Sequence, residues 1–304
     1  MANNRFLVIV RAGDDSRHPG WTTAAASRTW DLVVSYFGSD PARYRNEFDR
    51  RFDDRGSKWQ GLHALLTRSD FWRDYDYVWL PDDDLAVTQD VVDRLFALMN
   101  GVDLDLAQPT LDWNSFYSHP ITLRWPSFSL RLTNFVEIMA PCFKRSFLEA
   151  CLPTFAGVDT GWGLDSVWPR RLGEGLVRSA VLDDVALTHT RPVGGPAYER
   201  LRKAGLSPRR EAKETLRRHG VPPDTGQVIT TAIDRAGRFL RGDDPSAAEA
   251  MNALMLRDWA AFNDYRRMLP ADRLGTPQAA PLVVALDPAR LGATLAANLP
   301  RLQP

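Results

Sequence analysis

The stretch YDYVWLPDDDL, residues 75–85, constrains this chain more than any other. Its apolar half has the length and the aromatic, β-branched character of a strand buried on both faces, as in a helix-covered parallel sheet. It then empties through Pro81 into Asp82, Asp83 and Asp84. Open α/β sheets keep their ligands at the carboxyl ends of their strands, and adjacent carboxylates repel one another unless a cation sits among them. Two readings follow. One is a solvated turn that caps a helix over residues 87–99. The other is a divalent metal, Mn²⁺ or Mg²⁺, holding a diphosphate. Alternate residues of an extended segment face the same way, so Asp82 and Asp84 can both approach one ion that keeps positions open for phosphate oxygens. Asp83 then points away or braces the loop.

The chain before this stretch has the same rhythm. Apolar runs at residues 6–10 and 30–37 end in Arg11-Ala12-Gly13-Asp14-Asp15 and Gly38-Ser39-Asp40. A crossover helix is expected between them at 21–28. Helical spacing predicts another at 58–66, with Trp59, Leu62, Leu65 and Leu66 on one face. Downstream come a short strand at 105–108, a strand at 135–141 carrying Glu137, a helix at 145–151, the loop GVDTGWG at 157–163 and a strand at 177–182. This alternation predicts an α/β domain over residues 1–198, a mostly parallel sheet flanked by helices. After residue 198 the texture changes. A basic helix at 207–219 and a second from Asp244 to about Met268 predict a helical C-terminal region, 199–304, with a short strand at 282–286.

Composition excludes some classes of function. Lys and Arg number 38 and Asp and Glu 38, so no net positive field recruits nucleic acid. No apolar run approaches the ~18 residues of a membrane span, and the N-terminal run is too short for a signal peptide. A cytoplasmic location is expected. The basic helix reads as a solvated face, or as a peripheral contact with anionic membrane. Cys142 and Cys151 fit no metal pattern and read as buried small hydrophobes.

Four further residues carry candidate chemistry. His189 ends a strand-like segment and reads either as a structural histidine or as a third metal ligand, which suits Mn²⁺ because imidazole is softer than carboxylate. His119, after an aromatic stretch, is placed to line an acceptor pocket. Asp165, in Gly161-Trp162-Gly163-Leu164-Asp165, is either a helix cap or a general base beside an aromatic wall that stacks on a sugar face. Glu137, a lone acid in an apolar segment, needs a buried partner or a function.

A strand-end D-x-D, a later strand, a Gly-Trp-Gly-x-Asp turn and a downstream His, in that order, resemble the GT-A glycosyltransferase architecture. Residues 75–195 are more closely similar to a family of uncharacterised plant and bacterial proteins whose plant members carry the description lysine-ketoglutarate-reductase trans-splicing-related. The segments that carry it are YDYVWLPDDDL, LAQPTLDWNSFYSHPIT, FVEIMAPCFKRSF, GWGLD and the His189 segment. Nothing in them supports a reductase or a splicing factor, and no GxGxxG follows the first strand. The GT-A resemblance implies a metal-dependent glycosyltransferase taking a UDP- or GDP-sugar donor and a carbohydrate or other hydroxyl acceptor. It implies Asp82, Asp84 and His189 around the metal, Arg11, Gly13, Asp40 and Asp83 toward the nucleotide, and His119, Trp162 and Gly163 toward substrate. Asp165, with Glu137 as the other candidate, would be the base of an inverting transfer. Two other classes fit the acidic cluster or the aromatics: another metal-dependent phosphoryl or nucleotidyl transferase, without a P-loop here, and a non-catalytic carbohydrate-binding protein.

Overall fold

The computed structural model describes residues 5–22, 27–170, 178–192, 203, 205, 207–222 and 226–269. Strands β1 (Phe6–Ala12), β2 (Trp30–Tyr36), β3 (Arg50–Asp53) and β4 (Tyr77–Trp79) form the parallel half of the sheet, in the order β3-β2-β1-β4. A two-residue strand β5 (Leu85–Ala86) follows the acidic run, and helix α1 (Lys58–Arg68) precedes it. Helix α2 (Gln89–Gly101) leads to β6 (Leu106–Leu111), β7 (Phe128–Thr133), β8 (Cys142–Lys144), α3 (Arg145–Cys151), the one-turn helix α4 (Leu164–Val167) and β9 (Ser179–His189). Beyond lie α5 (Pro208–Arg218), β10 (Ile229–Asp234), β11 (Phe239–Arg241) and α6 (Pro245–Arg267).

The sheet continues from β4 through β8, β6, β9, β7 and β10 to β11, with β5 pairing the end of β9. β8 is antiparallel to both β4 and β6, and β9 is parallel to β6. β1, β2, β4, β6 and β9 therefore all end at the same edge. The sheet is thus mixed rather than mostly parallel: its second half adds antiparallel pairs of β7 with β9, β10 with β7 and β11 with β10.

Period-two alternation in β1 sends Leu7 and Ile9 to one face and Val8, Val10 and Ala12 to the other. α1 covers the first face with the predicted Trp59, Leu62, Leu65 and Leu66, and α3 joins it with Phe147, Leu148 and Cys151. α2 covers the second with Val92, Leu95, Phe96 and Met99. Both cysteines are buried and unbridged. α6, capped by Asp244 on the Ser246 and Ala247 amides, adds Met251 and Met255 to a third cluster with Trp125, Phe128 and Ile229.

Several expectations are corrected. In place of a crossover helix at 21–28, a 3-10 turn spans His18–Thr22, and residues 23–26 lie outside those described. Residues 135–141 form a buried turn, not a strand. Their carbonyls serve the end of β4: Pro141 accepts from the Leu80 amide, Met139 from the Asp82 amide and Ala140 from the Trp79 indole. Apolar burial there comes from crossing beneath a strand end, without a ladder. The region after 198 holds the two expected helices and also β10 and β11, which join the sheet through β7. The expected strand at 282–286 lies outside the described residues.

β7 escaped the sequence reading because Arg131 interrupts its apolar pattern. Arg131 is fully buried and forks onto Asp183, donating from Nε at 2.7 Å and Nη2 at 2.9 Å, and onto the carbonyls of Ile121 and Leu123. Asp183 lies where the β6–β9 register slips after Pro109. Proline cannot donate to the ladder, and the slip lets β9 turn a carboxylate inward.

Candidate functional site

The shared strand edge gathers the acidic run, His189, Glu137 and Asp165. The run leaves β4 at Pro81, and each carboxylate finds a different environment. Asp83 Oδ2 accepts the Gly13 amide at 2.7 Å, so it ties the end of β4 to the end of β1. It is the brace, and Arg191 Nη1 approaches its other oxygen at 3.6 Å. Burial raises its pKa to about 6 despite the Gly13 bond.

Asp84 faces His189, with Oδ2 3.3 Å from Nε2. β5 and β9 create that meeting, because Leu85 pairs with His189 and Thr190 donates its amide and hydroxyl to the Asp84 carbonyl. His189 Nδ1 lies 2.8 Å from the Phe116 carbonyl. That acceptor has no proton, so Nδ1 carries one and Nε2 is the atom turned to Asp84. Burial alone would lower the pKa of His189, but Asp84 outweighs it and carries the imidazole to about 9. Asp84 is likewise opposed by its burial, and the His189 bond holds it below the usual carboxylate range. Asp84 Oδ1 is buried and unpartnered.

Asp82 is different. Its Oδ1 accepts from Lys58 Nζ at 2.6 Å, and the same ammonium donates to the carbonyls of Ile138 at 2.7 Å and Met139 at 3.2 Å. Lys58 opens α1, where Ser57 is the cap. The burial of Asp82 pushes its pKa up and the Lys58 charge opposes this. The expected trio of Asp82, Asp84 and His189 therefore does not close around one point. Among the described residues no three His, Cys, Asp or Glu side chains are grouped to hold an ion. The donor set that remains among the described residues is Asp84, with a bare buried oxygen, joined by His189 Nε2 only where a bound cation displaces its proton. That suits an ion held by one or two protein ligands with phosphate and water oxygens completing its shell.

Glu137 and Asp165 are the two acids kept near neutrality. Burial raises Glu137 to about 7, with Asp165 and Asp82 adding to the rise and His189 opposing it. Its Oε2 is buried and unpartnered, and its amide donates to Gln108 Oε1 at 2.5 Å. Burial likewise lifts Asp165 to about 7, against hydrogen bonds from Ser166 and Gly163 and the charge of Arg170. Its carbonyl receives the Val136 amide at 3.4 Å, which joins α4 to the Glu137 turn.

The loop 157–163 is set by its neighbours. Gly161 has φ +83 and lies against the Trp59 indole, where a Cβ would overlap the ring. Gly163 has φ +98 and packs on α5, 3.0 Å from the Ala212 carbonyl as measured from the position of a Cβ. It is a packing residue in this structure. Trp162 is half-buried in the same loop.

Other expected contacts are placed elsewhere. Arg11 is buried, with its guanidinium on Ser35 Oγ at 2.9 Å and the carbonyls of Asp54 at 3.1 Å and Gly56 at 2.8 Å. It clamps the loop after β3 instead of offering a free head to a nucleotide. Asp40 is exposed and closes a turn onto the Ala42 amide. Asp14, which the sequence reading passed over, is the bonded acid there: Tyr36 and Ser39 donate to it and hold its pKa at about 2. His119 turns onto the Phe135 ring, 4.5 Å between centroids, with Nδ1 2.8 Å from Gln227 Nε2. Burial holds its pKa at about 4, so it is a neutral packing histidine. An open recess of about 320 Å³ is lined by Asp112, Trp113, Asn114, Arg124, Pro126 and Tyr265, and by none of the acids above.

Lys58, bonded to Asp82, and Glu211, bonded to the 159–161 amides, are neighbours of these acids that the sequence reading missed. Lys58 had a signal: it is one of only four lysines in an arginine-dominated chain. Glu211, in the first turn of a basic helix, had none.

No family model and no curated protein matches the chain. Solved structures do. The mannosyltransferase PcManGT from Pyrobaculum calidifontis, in complex with GDP-Man and Mn²⁺, is 17% identical over 72% of this chain and 66% of that one, with a TM-score of 0.48. S. aureus TarS 1-349 in complex with UDP-GlcNAc is 14% identical over 71% of this chain and 72% of that one, at 0.47. Glucosyl-3-phosphoglycerate synthase from Mycobacterium tuberculosis, in complex with Mn²⁺, UDP and glucosyl-3-phosphoglycerate, is 17% identical over 73% and 82%, at 0.44. The chain spans 43% of the longer TarS chain. Identities this low carry no residue role across, and the mixed α/β fold rests on the strand order described above.

Proposed function

We propose that the chain is a metal-dependent glycosyltransferase that moves a sugar from a nucleoside-diphosphate donor to a hydroxyl acceptor with inversion. The observation that carries the reading is the pairing, at one strand edge, of a phosphate-side set with a proton-side set. The first is Asp84 with its bare oxygen against His189, and the second is Glu137 and Asp165 held at about 7.

A divalent cation at Asp84 and His189 would neutralise charge on the departing diphosphate. The chain's own groups do the remainder. Asp83 fixes the loop between the ends of β1 and β4, beside which the nucleotide would lie. Lys58 fixes Asp82 and keeps that carboxylate from competing for the same space. Asp165, ionised above pH 7, takes the proton from the acceptor hydroxyl as that oxygen attacks the anomeric carbon, a role its perturbed pKa suits. Trp162 in the same loop offers a ring to the acceptor.

The test is calorimetry of UDP and GDP with Mn²⁺ on the wild type and on Asp84→Asn, followed by a transfer assay across UDP- and GDP-sugars. Mn²⁺-dependent binding lost in Asp84→Asn, with turnover lost in Asp165→Asn while binding persists, supports the reading. Absence of any metal-promoted nucleotide binding refutes it. Pyrophosphate release from a nucleoside triphosphate would replace it with a nucleotidyl transferase.

A further inference from the structure

The residue that holds the candidate base in place comes from the far side of the sequence. Glu211 projects from the first turn of α5, four residues after the Ser207 cap. Its carboxylate accepts four hydrogen bonds from a single loop. Oε2 takes the Asp159 amide at 3.1 Å, and Oε1 takes the Thr160 amide at 2.8 Å, the Thr160 hydroxyl at 2.6 Å and the Gly161 amide at 2.9 Å. Three consecutive amides pointing at one carboxylate form a concave nest, which backbone geometry supplies and an anion fills. Here the anion belongs to the protein.

The loop so gripped leads into α4 and Asp165 within four residues. It is pressed from the other side by α1, through the Trp59 indole under Gly161 and through Gln60, which donates to Asp159. On the α5 side, Gly163 fits against the Ala212 carbonyl and Thr215, and Thr215 is buried there. Gly161 and Gly163, both at positive φ, let the backbone approach both helices at once. The loop is therefore a strip clamped between α1 and α5, with Trp162 and Asp165 carried on it. The outer face of α5, with Arg209, Arg210, Lys213 and Arg217, is exposed, and none of these four bonds the 159–161 amides.

We propose that Glu211 is a positioning residue, which sets the 159–165 loop so that Asp165 and Trp162 face the strand edge. The proposal rests on Asp165 being the base in the reading above. It assigns to α5 a catalytic purpose that its basic composition conceals. Geometry errors of about 1 Å at a reacting group cost about a hundredfold in rate, so releasing the loop affects kcat before it affects donor binding, which lies at β1 and Asp84.

The experiment compares wild type, Glu211→Ala, Glu211→Gln and the outer-face control Lys213→Ala. It follows deuterium exchange at the amides of residues 159–163 and the kinetics of sugar transfer. In Glu211→Ala the exchange accelerates at least about tenfold and kcat falls at least about tenfold, with KM for the donor within about twofold. Glu211→Gln retains one carbonyl oxygen, which can serve the three donors that share Oε1, and recovers most of both. Lys213→Ala matches wild type in both. Unchanged exchange in Glu211→Ala overturns the proposal whether or not a sugar is transferred, and so does faster exchange with kcat intact. If Glu211→Ala fails to fold, Glu211→Gln with wild-type exchange and a tenfold lower kcat equally overturns it, since the grip would then not set the rate. A wild type inert toward every sugar nucleotide, with exchange still faster in Glu211→Ala, removes the transferase reading and the positioning role built on it while leaving the clamp as a structural fact.

Discussion

Asp165→Asn offers a test that separates a functional carboxylate from a structural cap, because the two predict opposite changes in stability. An unfolded Asp titrates near 3.8, and in the native protein burial raises Asp165 to about 7. The native state therefore holds a proton that the unfolded state releases, and stability contributed below pH 4 is lost as pH rises toward 7. One pKa unit corresponds to about 1.4 kcal/mol, so the shift amounts to roughly 4 kcal/mol of native-state destabilisation at pH 8. Asparagine keeps an oxygen for the Ser166 and Gly163 bonds and has no charge to desolvate. Relative to wild type, Asp165→Asn should therefore gain about 2–4 kcal/mol between pH 4 and pH 8, measured by urea unfolding at both ends of the range. The same variant should lose transfer activity, a trade of function for stability of the kind expected at active sites. If Asp165 is instead a cap that the fold needs ionised, the variant is less stable than wild type and most so at pH 8. That result would refute both the perturbed acid and its role as base.

The remaining predictions address the rest of the site and its frame. Asp84→Asn should weaken Mn²⁺ binding by about tenfold or more, read by the electron paramagnetic resonance of free Mn²⁺, whereas Asp82→Asn should have the smaller effect because Lys58 already occupies its Oδ1. Asp183→Ala leaves the Arg131 guanidinium buried and unpaired, and should cost about 3–5 kcal/mol in denaturant unfolding. A loss under about 1 kcal/mol would mean that the carbonyls of Ile121 and Leu123 suffice. Gly161→Ala combines positive φ with overlap on Trp59 and should destabilise by about 2 kcal/mol or more. Thermal unfolding unchanged in that variant would show that the loop can move off α1.

Sequence pattern carried furthest where a single strand or helix decides the outcome. The apolar runs of β1, β2 and β4, the buried stripe of α1 and the position of the acidic run at a strand end were all legible, because period-two and helical spacing act locally. So was the meeting of interest: Asp84 and His189 do face each other, and Glu137 and Asp165 share their edge. Two things were not legible. β7 carries a charged residue, Arg131, whose burial is compensated by Asp183 far along the chain, and β10 and β11 join the sheet only through β7. The division of labour among the three aspartates was hidden too, since Lys58, Gly13 and His189 each claim one of them from a different element.

The chain by itself thus determined which residues stand at the carboxyl edge of the sheet, because strand ends and acidic runs are written in consecutive positions. Only the tertiary structure decided what each of them is free to do. A carboxylate's availability depends on which donors reach it, and those donors come from residues 24, 70 and 105 positions away in the sequence. The same holds for Asp165, whose setting depends on a glutamate in a helix that composition alone marks as a basic surface.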